Sequence, residues 1–137
     1  MRPIRFRAWD KEDEVMIDWF WLSSEGNLYE TPVTVYDTPH LELERNDDLI
    51  AMQYTGLKDK NGVEIYEGDV VKHIDTFANI KTVNKVYWKH GSLVFDVKID
   101  DLTYDVPVYK IHPDNNEGYK DSLEVIGNIY ENPDLLG

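Results

Sequence analysis

The residues of this sequence that could do chemistry are its histidines, serines and carboxylates, and their spacing matches no known catalytic motif. His73 and Asp75 are two positions apart, so on a strand they would share a face and could offer two ligands to a metal ion. No third ligand is identifiable beside them, and none of the serines stands in the context of a nucleophile elbow. The sequence therefore predicts no catalytic residue, no metal ligand and no cofactor.

The residue types present exclude several further kinds of site and leave one open. The chain has no cysteine, which excludes disulfides, thiolate nucleophiles and cysteine zinc sites. It has no glycine-rich phosphate loop, and the calcium-like stretch at residues 114–118 has Val125 where a glutamate ligand is expected. Among 27 Asp and Glu, some pair of carboxylates falls close together by accident, so a paired-carboxylate site is an open alternative without a location.

The charge balance is strongly acidic. Fourteen Lys and Arg against 27 Asp and Glu give a formal net charge of −13, which repels phosphate backbones. We interpret this charge as a solvated surface, and the alternative is an acidic face that binds a basic protein. Nucleic-acid binding requires that basic residues converge into a stripe. The candidates for such a stripe are Arg5, Arg7, Lys58, Lys60, Lys81, Lys85 and Lys89.

Aromatic residues are numerous, with nine Tyr and four Trp. Trp19 and Trp21 alternate on one face of a predicted strand, and Trp88 closes another strand. We predict that these tryptophans fill the core of a small β domain, and the alternative is a binding surface, because Trp and Tyr dominate interface hot spots. Arg5 and Arg7 share the polar face of the first predicted strand and are expected to pair with carboxylates.

Alternation of apolar and polar residues with a period of two predicts strands along most of the chain. A β-hairpin is predicted over residues 3–22, and a further strand over residues 28–36. Short strands joined by tight turns over residues 54–131 predict a small antiparallel barrel of SH3-like type. The predicted fold is therefore mainly β, with the N-terminal β-hairpin region packed with a C-terminal small antiparallel barrel.

The length of 137 residues predicts a single domain over residues 1–137. A break near residues 38–48 suggests substructures at 1–48 and 49–137. The turn residues are predicted to have structural roles. They are Asn61, Gly62, Gly68 and Asp69 at tight turns, and Gly127 at a bend or close approach in the last strand.

The expected location is the cytoplasm. The N-terminal residues lack the apolar run of a signal peptide. No stretch approaches the roughly 18 consecutive apolar residues that a transmembrane helix needs, so no membrane association is expected.

Three sequence blocks resemble the YopX family of phage and prophage proteins. They are IRFRAWD at residues 4–10, MQYTGLKDKNG at 52–62 with its continuation IYEGDVVK at 65–72, and EVIGNIYENP at 124–133. The resemblance implies a small β-rich protein encoded by a phage or prophage genome. It implies no reaction, because the family is one of unknown function, and no catalytic residue is carried over.

These observations predict a non-enzymatic binding or interaction protein that acts in the bacterial host. Its expected partner is a host or phage protein, with a second copy of the chain as a further candidate and nucleic acid not expected. One rival function is a metal-dependent enzyme of nucleotide or nucleic-acid metabolism that uses clustered carboxylates. The other is a nucleic-acid-binding SH3-like barrel, which the net charge argues against.

Overall fold

The structure is a computed structural model that describes residues 3–30, 44–75, 80–89, 92–99, 102–107 and 122–136. These residues form twelve strands and one 3-10 helix, which confirms the mainly β fold. In chain order the elements are β1 (Phe6–Asp10), β2 (Val15–Ile17), β3 (Trp21–Leu22), β4 (Leu28–Glu30), β5 (Glu44–Arg45), β6 (Leu49–Lys58), β7 (Glu64–Tyr66), β8 (Asp69–Asp75), β9 (Ile80–Lys89), β10 (Ser92–Ile99), β11 (Leu102–Pro107), β12 (Ser122–Asn128) and the 3-10 helix Pro133–Leu136.

The chain divides into two compact units. The smaller unit is Phe6–Met52, and the larger unit combines Met1–Arg5 with Gln53–Gly137. Strand β6 begins in the smaller unit and continues into the larger one. The predicted substructures at 1–48 and 49–137 stay a prediction. Part of the predicted break near 38–48 falls outside the described residues.

In the smaller unit, β1 and β2 form an antiparallel hairpin in which Ala8 lies opposite Ile17. The hairpin predicted over residues 3–22 exists but is shorter, because β2 ends at Ile17. Strand β3 pairs instead with β4, and β4 pairs with β5, so these three strands form a separate antiparallel sheet. Beyond β4, the strand predicted over residues 28–36 lies outside the described residues.

The core of the smaller unit explains why β2 ends early. Ile17 and Phe20 both pack against the same buried side chains, which are those of Ala8, Leu28 and Leu49. Residues three positions apart point to opposite faces of a strand. The chain must therefore leave the strand conformation after Ile17 for both side chains to reach one core.

The larger unit contains a five-stranded antiparallel sheet with the order β11-β10-β9-β8-β12. The second half of β6 pairs with β7 in the same unit, where Tyr54 lies opposite Tyr66. Its core consists of buried apolar side chains, which are Ile65, Val71, Val86 and Leu123, with Leu57, Val106 and Val125 packed against them. The SH3-like description of residues 54–131 stays a prediction. None of the described residues belongs to a helix with the length and apolarity that crossing a bilayer requires.

Gly127 lies where β12 changes register against β8, since Val125 pairs with Val71 and Gly127 with Val70. A Cβ atom at Gly127 would lie 2.8 Å from the side-chain Cγ of Asn132, closer than real Cβ contacts. The Asn132 side chain also accepts a hydrogen bond from the Asn128 N–H at 3.3 Å. An added methyl group would therefore displace this side chain.

Replacing Gly127 with alanine is expected to lower the free energy of unfolding by about 1–2 kcal/mol, because the Asn132 side chain must move and its hydrogen bond weakens. Urea unfolding measures the change. The matched control is Ile126→Ala in the same strand, since Ile126 is exposed and its truncation is expected to have the smaller effect. Equal stabilities of the Gly127→Ala and unaltered chains would contradict the close approach.

Candidate functional site

The turn between β6 and β7 is organised by the buried carboxylate of Asp59. Its Oδ1 accepts hydrogen bonds from the N–H groups of Asn61 (2.8 Å) and Val63 (2.9 Å). Its Oδ2 accepts one from the N–H of Val125 in β12 (2.9 Å). The N–H of Lys60 donates to the carbonyl of Leu123 at 3.0 Å, beside this link. The bonds to Oδ1 close the turn, and the bonds to Val125 and Leu123 hold it against the last strand, so the carboxylate has a structural role.

The other buried carboxylates of the described residues have similar roles. Asp10 Oδ1 accepts hydrogen bonds from the N–H groups of Glu12 (2.9 Å) and Asp13 (3.1 Å), within the β1–β2 turn. Asp69 Oδ2 accepts one from the N–H of Tyr66 (2.7 Å), across the β7–β8 turn. Both carboxylates therefore stabilise turns through backbone hydrogen bonds.

Asn61, Gly62, Gly68 and Asp69, to which the sequence assigned turn roles, lie at the β6–β7 and β7–β8 turns, whereas Gly127 lies within β12. Gly62 and Gly68 both have positive φ, of 81° and 85°, which L residues adopt only with strain. Gly68 also joins three segments, because its N–H donates to the Val86 carbonyl (2.8 Å) and its carbonyl accepts from the Ile129 N–H (2.9 Å). The anchoring role of Asp59 was missed, although an aspartate two residues before Asn-Gly is a signal for an Asx turn.

A polar cluster consists of Tyr54 on β6, Glu64 and Tyr66 on β7, and Arg5, which precedes β1 in the sequence. Arg5 Nη1 forms an ion pair with Glu64 Oε1, which agrees with the predicted carboxylate partner for this arginine. The Tyr66 hydroxyl donates to Glu64 Oε2 at 3.1 Å, and its ring centroid lies 5.4 Å from that of Tyr54. Burial raises the pKa of Tyr54, the Glu64 carboxylate raises it further, and Arg5 lowers it. The contact between Tyr54 and Tyr66 stabilises the pairing of β6 with β7.

Glu67 and Tyr130 lie in two adjacent turns of the larger unit. Burial raises the pKa of Glu67 above its usual value. Burial also raises the pKa of Tyr130, and the nearby Glu67 carboxylate raises it further. Deprotonation of Glu67 is therefore less favourable in the folded chain than in the unfolded chain.

Replacing Glu67 with glutamine is expected to increase the free energy of unfolding at neutral pH and to change it little near about pH 3. The folded-state pKa of Glu67 is raised, so its favourable contribution is present below the unfolded-state pKa and is lost as the pH rises through the folded-state pKa. Urea unfolding of both chains across this pH range measures the difference. Glu131→Gln, at an exposed position, is the control, and a pH-independent difference for Glu67→Gln would contradict the prediction.

The candidate metal pair is only partly described. His73 is buried in β8, opposite Thr82 of β9 and Leu123 of β12, while the side chain of Asp75 is not described. In the described part of the chain, no group of three or more His, Cys, Asp or Glu side chains could hold a metal ion. The calcium-like stretch at 114–118 lies outside that part, and the absence of a metal stays a prediction.

Three residues of the suggested basic stripe share a face of one strand. Lys81, Lys85 and Lys89 are spaced four residues apart along β9, an even number, and therefore point to the same side. Lys85 Nζ lies 5.7 Å from the ring centroid of Tyr87 on this face. Of the other candidates, Arg5 is paired with Glu64, and Lys60 Nζ lies 3.4 Å from Glu124 Oε2. Arg7 belongs to the smaller unit, whereas the other six belong to the larger one.

The tryptophans do not fill the core as predicted. Trp9 is buried, but Trp19 is 61% exposed, Trp88 is 51% exposed and Trp21 is 38% exposed. The prediction was wrong, and for Trp19 and Trp21 the reason is that Phe20, which lies between them, packs half-buried against the core. Both indoles are consequently left on the surface of the smaller unit.

The three-stranded sheet of the smaller unit carries a row of three large side chains, which we call the aromatic row: Trp21, Tyr29 and Arg45. Tyr29 pairs directly with Trp21 on one side and with Arg45 on the other, so all three point to the same face. Leu28, the neighbour of Tyr29, points to the opposite face and is buried in the core. The aromatic row therefore faces away from the core of its unit.

The composition of the aromatic row is typical of binding surfaces. Trp, Tyr and Arg are the residue types most enriched among interface hot spots. Arg45 is held in place by Asp47, whose Oδ1 accepts a hydrogen bond from Arg45 Nε at 2.7 Å. Neighbouring strands are about 4.8 Å apart, so the row spans about 10 Å, enough to contact a short peptide segment. Of the described surfaces, this row is the strongest candidate for a binding site.

Comparisons with known proteins identify one family. The family model described as YopX protein matches residues 5–137. The solved structure of protein yopX from Bacillus subtilis is similar with a TM-score of 0.63, and that of protein EF1440 from Enterococcus faecalis with 0.60. Each is 24% identical to this chain, and each match covers 100% of both chains. No curated protein matches significantly. At this identity the two structures support the fold alone.

Proposed function

This chain belongs to the YopX family, and we propose that it is a phage- or prophage-encoded, non-enzymatic protein that binds a host or phage protein through its aromatic row. The proposed location is the cytoplasm of the bacterial host. The observation that carries the proposal is the row of Trp21, Tyr29 and Arg45, which lies on the face of the sheet opposite to the buried side chain of Leu28. A solvent-exposed tryptophan in such a row has a large apolar surface that a partner would cover.

The hydrogen bonds that the buried carboxylates make support a non-enzymatic role. Asp10, Asp59 and Asp69 accept hydrogen bonds from backbone N–H groups, so a structural role in turns accounts for their burial. The histidine that the sequence offered for metal binding, His73, is in the interior of the larger unit. These placements make the metal-dependent enzyme the weaker alternative.

The proposed function is tested by capture from a lysate of phage-carrying bacteria. The tagged chain is compared with Trp21→Ala and with Trp88→Ala, which removes an exposed indole from the other unit. A protein partner is expected to be retained by the unaltered chain and by Trp88→Ala. Trp21→Ala is expected to lose about 2 kcal/mol of binding free energy, about 30-fold in affinity. Retention of every captured protein by Trp21→Ala would refute the proposed function.

Nucleic-acid binding is a second candidate because Lys81, Lys85 and Lys89 share one face of β9. The net charge of −13 opposes it, and three lysines neutralise only a few phosphates. We expect no complex with duplex or single-stranded DNA in gel-shift assays at physiological salt. A salt-sensitive complex that is lost when Lys81 and Lys85 are replaced by serine would make this candidate the leading one.

A further inference from the structure

The negative charge of the chain is concentrated in the unit that carries the aromatic row. Residues 6–52 contain twelve Asp and Glu against three Lys and Arg, a formal net charge of −9. The remaining residues contain fifteen Asp and Glu against eleven Lys and Arg, a formal net charge of −4. The smaller unit therefore carries most of the net negative charge, although it contains only about a third of the residues.

Exposed carboxylates lie close in sequence to the strands of the aromatic row. Asp18 precedes β3, Glu25 is in the turn between β3 and β4, and Asp47 and Asp48 follow β5. The guanidinium of Arg45 is paired with Asp47, so these two charges largely cancel and the other three carboxylates remain. A partner that approaches the row meets aromatic faces within a negative field.

Aromatic faces and a negative field favour the same kind of ligand. The faces of Trp and Tyr attract Lys and Arg side chains through cation–π interactions, with Trp the most favourable. The negative charge of this unit attracts cationic surfaces and disfavours phosphate groups. A second copy that presented the same face would bring two strongly acidic units together, which like-charge repulsion opposes.

We infer that the aromatic row docks a lysine- and arginine-rich segment of a partner protein. The inference rests on the proposed function and adds the chemistry of the partner. Cationic side chains of the segment would lie over Trp21 and Tyr29, and neighbouring ones would face the exposed carboxylates. Attraction by the carboxylates alone would not require the indole of Trp21, and this difference makes the inference testable.

The test uses fluorescently labelled poly-L-lysine as the probe, with poly-L-glutamate as the negative control. The unaltered chain is expected to bind poly-L-lysine, and Trp21→Ala is expected to weaken binding about tenfold or more. Trp88→Ala has the same net charge as Trp21→Ala and is expected to leave the affinity unchanged. Circular dichroism of each variant verifies that the fold is retained.

The contribution of charge is tested with two matched pairs of substitutions. Glu25→Gln with Asp48→Asn removes two exposed carboxylates from the smaller unit, and Glu131→Gln with Asp134→Asn removes two from the larger unit. The first pair is expected to weaken binding of poly-L-lysine more than the second. Raising the salt from about 0.1 M to 1 M, where the Debye length falls from about 10 Å to 3 Å, is expected to weaken it further.

Three results would overturn the inference. If the unaltered chain and Trp21→Ala bound poly-L-lysine with equal affinity, the acidic charge alone would attract the polycation and the aromatic row would not be needed. Binding of single-stranded DNA through Trp21, or self-association of the chain that Trp21→Ala abolishes in sedimentation experiments, would identify another occupant. In each case, capture of a Trp21-dependent protein from the lysate would still support the proposed function, because that assay does not depend on the charge of the partner.

Discussion

Replacing Asp59 with alanine is expected to lower the free energy of unfolding by about 3 kcal/mol or more. The buried carboxylate accepts three backbone hydrogen bonds, from Asn61, Val63 and Val125, at 2.8 to 2.9 Å. Alanine removes the acceptor of all three donors and breaks the link between the β6–β7 turn and β12. Urea unfolding monitored by circular dichroism measures the loss.

Two further variants separate this role from a general effect of charge. Asp134→Ala removes an exposed carboxylate and is expected to change the stability by less than about 0.5 kcal/mol. Asp59→Asn keeps one side-chain oxygen for Asn61 and Val63 but places an amide N–H toward the Val125 donor, so an intermediate loss is expected. If Asp59→Ala were as stable as Asp134→Ala, the structural role of the carboxylate would be wrong.

Truncation of Ile65 to alanine is expected to cost about 3 kcal/mol, within the usual range for core isoleucines. Ile65 is 1% exposed and packs in the core of the larger unit with Val71, Val86 and Leu123. Loss of its methyl and methylene groups leaves a cavity that the surrounding strands cannot fill without breaking their pairing. The midpoint of urea unfolding is expected to fall accordingly.

The matched control for Ile65 lies two residues earlier. Val63 is 47% exposed and is expected to tolerate alanine with a loss below about 1 kcal/mol. Comparable losses for Ile65→Ala and Val63→Ala would contradict the placement of the core. The comparison is sensitive because both residues are β-branched and flank the start of the same short strand.

Local patterns predicted the elements that depend on near neighbours. Alternation through Phe6 and Ala8 predicted β1, and Asn61-Gly62 predicted a tight turn, where Gly62 has the positive φ that such turns need. Alternation also placed Trp19 and Trp21 on one face, but it could not show whether anything covers that face. Both indoles are exposed in the structure, and Phe20 between them packs against the core instead.

The sequence by itself determined that this chain is mainly β, acidic and rich in aromatic residues, because strand periodicity, charge and composition are local or additive properties. Only the tertiary structure decided which strands pair and in which register. Register placed Trp21, Tyr29 and Arg45 side by side, although Arg45 is sixteen residues beyond Tyr29. It also brought Asp59 to the N–H of Val125, 66 residues away. Such contacts depend on how distant segments pack together, which no local pattern encodes.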